Sequence, residues 1–236
     1  MKKPQVRGKG KTPGARTRLA ALLLLGGALG SAGELEAQRQ VHILQEPRHR
    51  TVLDDGDVRV LDVQINPMDT TEAHTHDSPI MYTFISSGGG SSNGRVSSNT
   101  DYRLEPFTHV VNNQGPNLFR IIAIAHFGQG EEAENMLTAG RPQGLTGDPQ
   151  LENPWFRSYR VELAPGEETS MIRHLHDALV VQVTDGETHV TREDGITREL
   201  TAMGDWAWRD MGSPYQIRNV GDVPVSVVVN EARRAR

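Results

Sequence analysis

One stretch occurs twice in this chain, and it limits the fold more than any other feature. The first copy is Val63-Gln-Ile-Asn-Pro67 followed by Thr71-Glu-Ala-His74-Thr-His76-Asp77. The second is Val161-Glu-Leu-Ala-Pro165 followed by Ile172-Arg-His174-Leu-His176-Asp177. Each copy joins an apolar alternating run, a proline turn and a His-x-His pair. Alternation with period two is the mark of a strand with one buried face. The two copies lie about 100 residues apart, which points to a duplicated β domain.

The segments between the copies agree. Asp54-Asp-Gly-Asp57 separates Thr51–Leu53 from Val58–Ile65, and Asp-Gly between apolar alternations signals a hairpin. Asn66-Pro67-Met-Asp69 makes the next turn. His74 to Ser86, Tyr102 to His109 and Leu118 to Ala125 read as further strands. The run Ser86-Ser-Gly-Gly-Gly-Ser-Ser-Asn-Gly94 reads as a flexible loop. In the second half, Phe156–Leu163, Met171–Thr184, Thr188–Arg192, Thr197–Leu200, Tyr215–Asn219 and Val223–Glu231 are strands, punctuated by Asp185-Gly186 and Asp194-Gly195. Many short strands with turns every 8–12 residues mean an all-β barrel or sandwich. The expected layout is a leader at 1–37, a first barrel at 38–127, a connection at 128–153 with a short helix near Ala133–Thr138, and a second barrel at 154–236.

The leader is set apart by composition. Lys2, Lys3, Arg7, Lys9, Lys11, Arg16 and Arg18 precede an apolar run from Leu19 to Leu29, and small residues follow at Ser31, Ala32, Gly33 and Ala37. A basic head, a short apolar core and a small-residue end describe a secretory signal peptide. The run is shorter than the ~20 residues of a membrane span. The expected location is therefore exported, either periplasmic or extracellular, with no membrane span after processing. The leader carries 7 Lys+Arg and 2 Asp+Glu, a net of +5, so the remainder of a chain with net charge −5 carries −5 − 5 = −10. All four lysines lie in the leader. So acidic a protein is a poor partner for nucleic acid or an anionic membrane. The chain has no cysteine, so disulfides contribute nothing to stability.

These residues resemble the cupin superfamily, and in two copies the chain resembles a bicupin. The first cupin motif runs Gly, five residues, His-x-His, three or four residues, Glu, then six residues to Gly. The second runs Gly, five residues, Pro-x-Gly, two residues, His, three residues, Asn. Pro67, His74-Thr-His76 and Gly88 follow the first motif, and His109-Val-Val-Asn-Asn113 follows the end of the second. In the second half, Pro165-Gly166, His174-Leu-His176 and Gly186 follow the first motif, while Gly204, Pro214, Tyr215 and Asn219 track the second. The resemblance implies two tandem cupin-type β-barrels of the double-stranded β-helix or jelly-roll kind. Two departures stand out. The motif glutamate falls at Ile80 or Met81 and at Val180 or Val181, so both copies lack it. The second motif's histidine is present as His109 but is Tyr215 in the second copy.

Alternation puts His74, His76, Ser78, Ile80 and Tyr82 on one face, and the resemblance brings His109 nearby. Three imidazoles suit a divalent transition metal. Iron, manganese, nickel, copper and zinc all remain open. His174, His176 and Tyr215 form the corresponding set in the second barrel, a poorer one because a phenol must ionise to bind metal well. Tyr82 is a candidate pocket donor. His42, His49, His126 and His189 match no motif and read as ordinary surface or core residues. Two functions compete. One is a metal-dependent oxidoreductase, dioxygenase-like, acting on a small organic molecule in the first barrel. The other is a non-catalytic exported protein that binds a small ligand or serves as structure without metal. A metal-free isomerase lacks an evident acid–base pair. An exposed barrel edge would also favour a homodimer.

Overall fold

The computed structural model describes residues 39–130 and 140–235. The leader, with its expected cleavage region, and the short helix expected near Ala133–Thr138 lie outside the described residues. Sixteen strands, two 3-10 turns and no α-helix make up the described residues. No helix among them is long and apolar enough to cross a membrane.

The first half forms two sheets. Strands β2 (His49–Asp55), β3 (Val58–Ile65), β5 (Ile80–Ser87), β6 (Ser91–Asn99) and β8 (Phe119–His126) associate in the order β2-β3-β8-β5-β6. Strands β1 (Gln40–His42), β4 (Ala73–His76) and β7 (Phe107–His109) form the second sheet, order β1-β4-β7. The second half repeats the plan. Strands β9 (Leu151–Glu152), β10 (Phe156–Leu163), β11 (Asp177–Gln182), β14 (Trp206–Arg209) and β16 (Val225–Ala232) give the order β14-β11-β16-β10-β9. Facing them are β12 (Thr188–Arg192), β13 (Thr197–Leu200) and β15 (Tyr215–Asn219), order β13-β12-β15. The chain is all-β and builds two double-sheet barrels.

Period-two alternation sorts the apolar residues into three cores. On β5, Ile80 faces into the first barrel with Tyr82 and Phe84 packed beside it, while Met81 and Ile85 face outward. On β11, Ala178 and Val180 face into the second barrel, while Leu179 and Val181 face outward. The outward residues of both halves meet in one buried cluster with Val58, Ile122, Phe156 and Val228. Strands buried on both faces read as continuous apolar runs, as Val227–Val229 does. Polar clamps close the same junction. Arg120 binds Asp62 and donates to the Met203 and Gly204 carbonyls, and Asn230 Nδ2 donates to Thr83 Oγ1 at 2.8 Å.

Matching turns precede both histidine pairs. Asp69 N–H donates to Asn66 O, and Glu167 N–H donates to Ala164 O, each at 3.0 Å. The third residue of each turn has positive φ, Met68 at 63° and Gly166 at 76°. Asn113 and Asn219, the closing residues of the second motif, are equivalent pins. Asn113 Nδ2 donates to Ile65 O and Asn117 O, and its Oδ1 accepts from Gly115 N. Asn219 Nδ2 donates to Leu163 O and Val223 O, and its Oδ1 accepts from Gly221 N.

Three local expectations are corrected. The glycine–serine run is a hairpin, with β5 reaching Ser87, a turn at 88–90 and β6 starting at Ser91. Its composition is weakly strand-forming, but tertiary contacts hold it. Gly94 takes φ +65°, and Val183 sits where a side chain would begin. Arg160 donates to the carbonyls of Asn93 and Gly94. The strand expected across 171–184 is divided. Only Asp177–Gln182 is extended, and Ile172 makes an isolated bridge to Tyr215. The strand expected across 102–109 shrinks to Phe107–His109 after a 3-10 turn at Asp101–Arg103.

Candidate metal centre

Strand pairing brings the first barrel's histidines together. β4 and β7 run antiparallel with His74 opposite His109 and His76 opposite Phe107. Alternation turns His74 and His76 inward, where both are buried, and Thr75 outward, where its Oγ1 meets Thr108 Oγ1 at 2.8 Å. Ring centroids lie 4.5 Å apart for His74–His109, 5.0 Å for His76–His109 and 5.1 Å for His74–His76. One nitrogen from each ring lies within 4.8 Å of the others.

The hydrogen bonds assign the donor atoms. His74 Nδ1–H donates to the Glu72 carbonyl at 2.9 Å, which leaves Nε2 to present a lone pair. That Nε2 is buried with no protein partner. His76 Nε2 and His109 Nε2 stand 3.1 Å apart. Two nitrogens bound at about 2.0–2.1 Å to one ion are separated by roughly 3.0–3.4 Å. The residues therefore fit a metal on two counts, an orphaned inward nitrogen and a ligand-like spacing. Burial holds His76 and His109 in the neutral form that metals need. It pushes His76 down to about 3, with His109 and His74 adding to the effect, and His109 down to about 4, with His74 adding.

A fourth imidazole joins them, one that sequence reasoning dismissed. His49, the first residue of β2, is buried, lines the same cavity and meets His74 edge-on at 4.5 Å. Burial, then the charge His74 would carry, pushes it down to about 3. Its signal was weak, because His49 lies 25 residues before His74 in no motif. Tyr102 was missed for a similar reason. It sits on the 3-10 turn, 5.3 Å from His76, and stacks on Phe107 at 5.5 Å with ring planes 6° apart.

In front of the rings lies a cavity of about 280 Å³. Leu61, Val63, Ile65, Ile80, Phe84 and Ile121 form its walls, and Tyr82, Tyr102 and Phe107 add aromatic faces. Tyr82, the expected pocket donor, is there, and burial followed by the neighbouring Tyr102 drives its phenol above the ordinary value. Of the two positions where the motif glutamate would fall, Ile80 lines the cavity and contributes only hydrocarbon, and Met81 faces outward.

The second barrel gathers its residues differently. His174 Nδ1 lies 2.7 Å from Glu231 Oε1, and Nε2 lies 2.7 Å from the Tyr215 hydroxyl. Glu231 also accepts from Arg157 at 3.1 Å, and Arg157 binds Glu152 at 2.8 Å. Both nitrogens of His174 are thus engaged within the protein. Burial, reinforced by Glu231, raises Tyr215 well above the ordinary phenol value, which keeps it protonated. His176 points elsewhere, into a crevice beside Asp177, Met211 and Arg234. Of the remaining histidines, His42 pairs with Asp77 at 3.0 Å and His126 is buried beside Phe156.

Double-sheet barrels, a His-x-His strand opposite His109 and the paired Asn113 and Asn219 pins are now all in place. The chain has a cupin-type fold. No protein-family model matches the chain, and no curated protein matches it. Solved structures with some likeness include a cupin domain from Bordetella pertussis Tohama I, 25% identical over 40% of this chain and 93% of that one, TM-score 0.33. AerE from Microcystis aeruginosa is 10% identical over 79% of this chain and 98% of that one, TM-score 0.48. A cupin 2 conserved barrel domain protein from Leptotrichia buccalis is 15% identical over 78% and 88%, TM-score 0.47. At these scores the site must be read from its own geometry.

Proposed function

We propose that this cupin-type protein is exported and binds one divalent transition metal through His74, His76 and His109, and that it acts as a dioxygenase-like oxidoreductase on a small organic substrate. The observation that carries the reading is the convergence of three imidazoles at the wall of an apolar cavity. Iron, manganese, nickel, copper and zinc all suit such a set. A bound ion would supply a Lewis-acidic centre with open positions, more electrophilic than one that shares its charge with a carboxylate. The chain's own part is to hold and to exclude. The Glu72 carbonyl fixes the tautomer and direction of His74. The hydrocarbon walls keep water from a reacting molecule. Tyr82, kept protonated by burial, offers a hydrogen bond to a substrate oxygen.

A non-catalytic ligand-binding protein is the second reading. What favours it is an apolar cavity that no carboxylate lines among the described residues. Metal analysis of protein taken from its natural compartment, and again after loading with each ion, separates the two. Near-stoichiometric metal that is lost in His74→Ala and His109→Ala supports the first reading. A protein that takes up no ion under any loading condition, yet binds small apolar molecules, leaves the second.

A further inference from the structure

His74 is aimed by a residue that does not line the cavity. Glu46 follows the 3-10 turn at Ile43–Gln45, and its side chain has no exposed surface. A buried carboxylate persists only where donors surround it. Its donors are the Arg48 backbone N–H at 2.6 Å, the Arg48 guanidinium at 3.2 Å and the Glu72 backbone N–H at 3.2 Å. Its own backbone carbonyl accepts from the His49 N–H at 2.9 Å. Glu46 therefore ties the start of the strand that carries His49 to Glu72, whose carbonyl receives His74 Nδ1–H. Glu46 is not among the cavity's lining residues.

Arg48 completes the clamp. Its guanidinium donates to both oxygens of Asp69, at 2.6 and 2.8 Å, and Asp69 Oδ1 accepts from the Thr70 N–H. Asp69 closes the turn at 66–69 that leads into the histidine pair. One Glu–Arg pair thus grips the backbone ahead of His74 at two points. The second copy is built differently. Two residues before His174 stands Ile172, whose N–H donates to the Tyr215 carbonyl at 2.7 Å and whose carbonyl accepts from the Tyr215 N–H at 3.0 Å. There the carbonyl is engaged by backbone, and His174 Nδ1 meets Glu231 instead. In the first copy the Glu72 N–H goes to Glu46, and the Glu72 carbonyl serves His74.

We propose that Glu46 is a positioning residue for the metal centre: by fixing the Glu72 backbone it locks His74 as the Nδ1–H tautomer, with Nε2 left for an ion. The effect on an ion rests on the metal reading, whereas the tautomer does not. Outer partners of a metal-binding histidine typically govern about 10–100-fold in affinity.

Two measurements on the full chain test this. Nitrogen NMR of the histidines in metal-free protein reads the tautomer, with His74→Ala assigning the signal. Cobalt(II) titration followed by visible absorption reads affinity and ligand geometry. In the unmodified chain His74 should carry its proton on Nδ1. Glu46→Ala should mix the tautomers, weaken cobalt at least tenfold and alter the absorption bands. Glu46→Gln keeps the length and one acceptor for the Glu72 N–H. It should bind cobalt at least threefold more weakly than the unmodified chain and at least threefold more tightly than Glu46→Ala. Asp62→Ala breaks a buried ion pair with Arg120 and controls for lost stability, so it should change neither reading. A retained Nδ1–H tautomer with cobalt affinity within twofold in Glu46→Ala overturns the proposal, as does the same result in Glu46→Gln where the alanine variant does not fold. Equal losses in Asp62→Ala overturn it too, by reducing the effect to stability. If no cobalt loads into the unmodified chain, the metal reading falls, and the tautomer comparison alone decides for or against Glu46.

Discussion

In the first barrel His74 keeps one ring nitrogen on a backbone carbonyl and leaves the other without a protein partner, facing His109. In the second, His174 occupies the matching place and spends both nitrogens, one on Glu231 and one on Tyr215. The turns before them match, the asparagine pins match, and the inner strands of the large sheets match, β3-β8-β5 against β10-β16-β11. The difference lies in a few side chains and in the small sheets, where His74 and His76 sit on β4 while His174 and His176 precede β11 outside any strand. Tyr215 replaces the imidazole that His109 supplies, and Glu231, at the end of β16, adds a carboxylate that draws in Arg157. The first barrel retains lone pairs and an open cavity. The second has turned the same positions into a closed chain of hydrogen bonds. One scaffold thus carries a candidate reactive site in one copy and a buried polar brace in the other, which is how folds and sites come apart.

That contrast can be broken most forcefully at Glu231. Glu231→Ala leaves Arg157 and His174 buried without their shared carboxylate, and breaking a buried pair costs about 3–5 kcal/mol. Urea unfolding should show the loss with zinc binding in the first barrel unchanged. A neutral outcome would mean that the second barrel's network is not a brace. Next in size is the matched pair His74→Ala and His174→Ala. Losing a direct ligand should lower metal affinity by more than the roughly 10–100-fold typical of an outer partner, whereas His174→Ala should lower stability and leave metal stoichiometry alone. Equal effects on metal in both variants would erase the asymmetry.

Acid should sharpen it. The folded values of about 3 for His49 and His76 and about 4 for His109 lie below the unfolded value of about 6.5. Between these values the unfolded chain binds more protons than the folded one, so acid favours unfolding. Their contribution is therefore fully present above about pH 6.5 and is lost as pH falls toward 4. Metal-free protein should melt several degrees lower at pH 5 than at pH 7, and His76→Phe should flatten that slope. A flat profile in the unmodified chain would show that these rings are not buried neutral. The smallest effect belongs to the turns. Met68 takes a left-handed conformation that Gly166 adopts freely in the second copy. Relief of about 1–2 kcal/mol, reduced by the chain entropy of glycine, predicts that Met68→Gly stabilises the protein by about 0.5 kcal/mol in denaturant unfolding.

Much of this was legible in the residues. Period-two alternation, Asp-Gly turns and the doubled Pro and His-x-His pattern carried the all-β class and the two copies, because strand faces and turn geometry are local properties of sequence. His74, His76 and His109 were legible as a set only because a recognised motif spans the 33 residues between His76 and His109. His49 and Tyr102 were not legible, since nothing local distinguishes a cavity histidine from a surface one. The Gly88–Gly94 hairpin was misread for the converse reason, its order coming from Val183 and Arg160 in the other half.

What the sequence determined by itself, then, was the repeated frame, in which most strands, the turns before the histidine pairs and the alternation of faces follow from spacing along the chain. Only the tertiary structure decided which inward histidine keeps a lone pair. That choice depends on Glu231 and Tyr215 closing on His174 from 57 and 41 residues away, while Glu72 and His109 leave His74 open. Hydrogen-bond partners are chosen by distance in space, and no period along the chain encodes them.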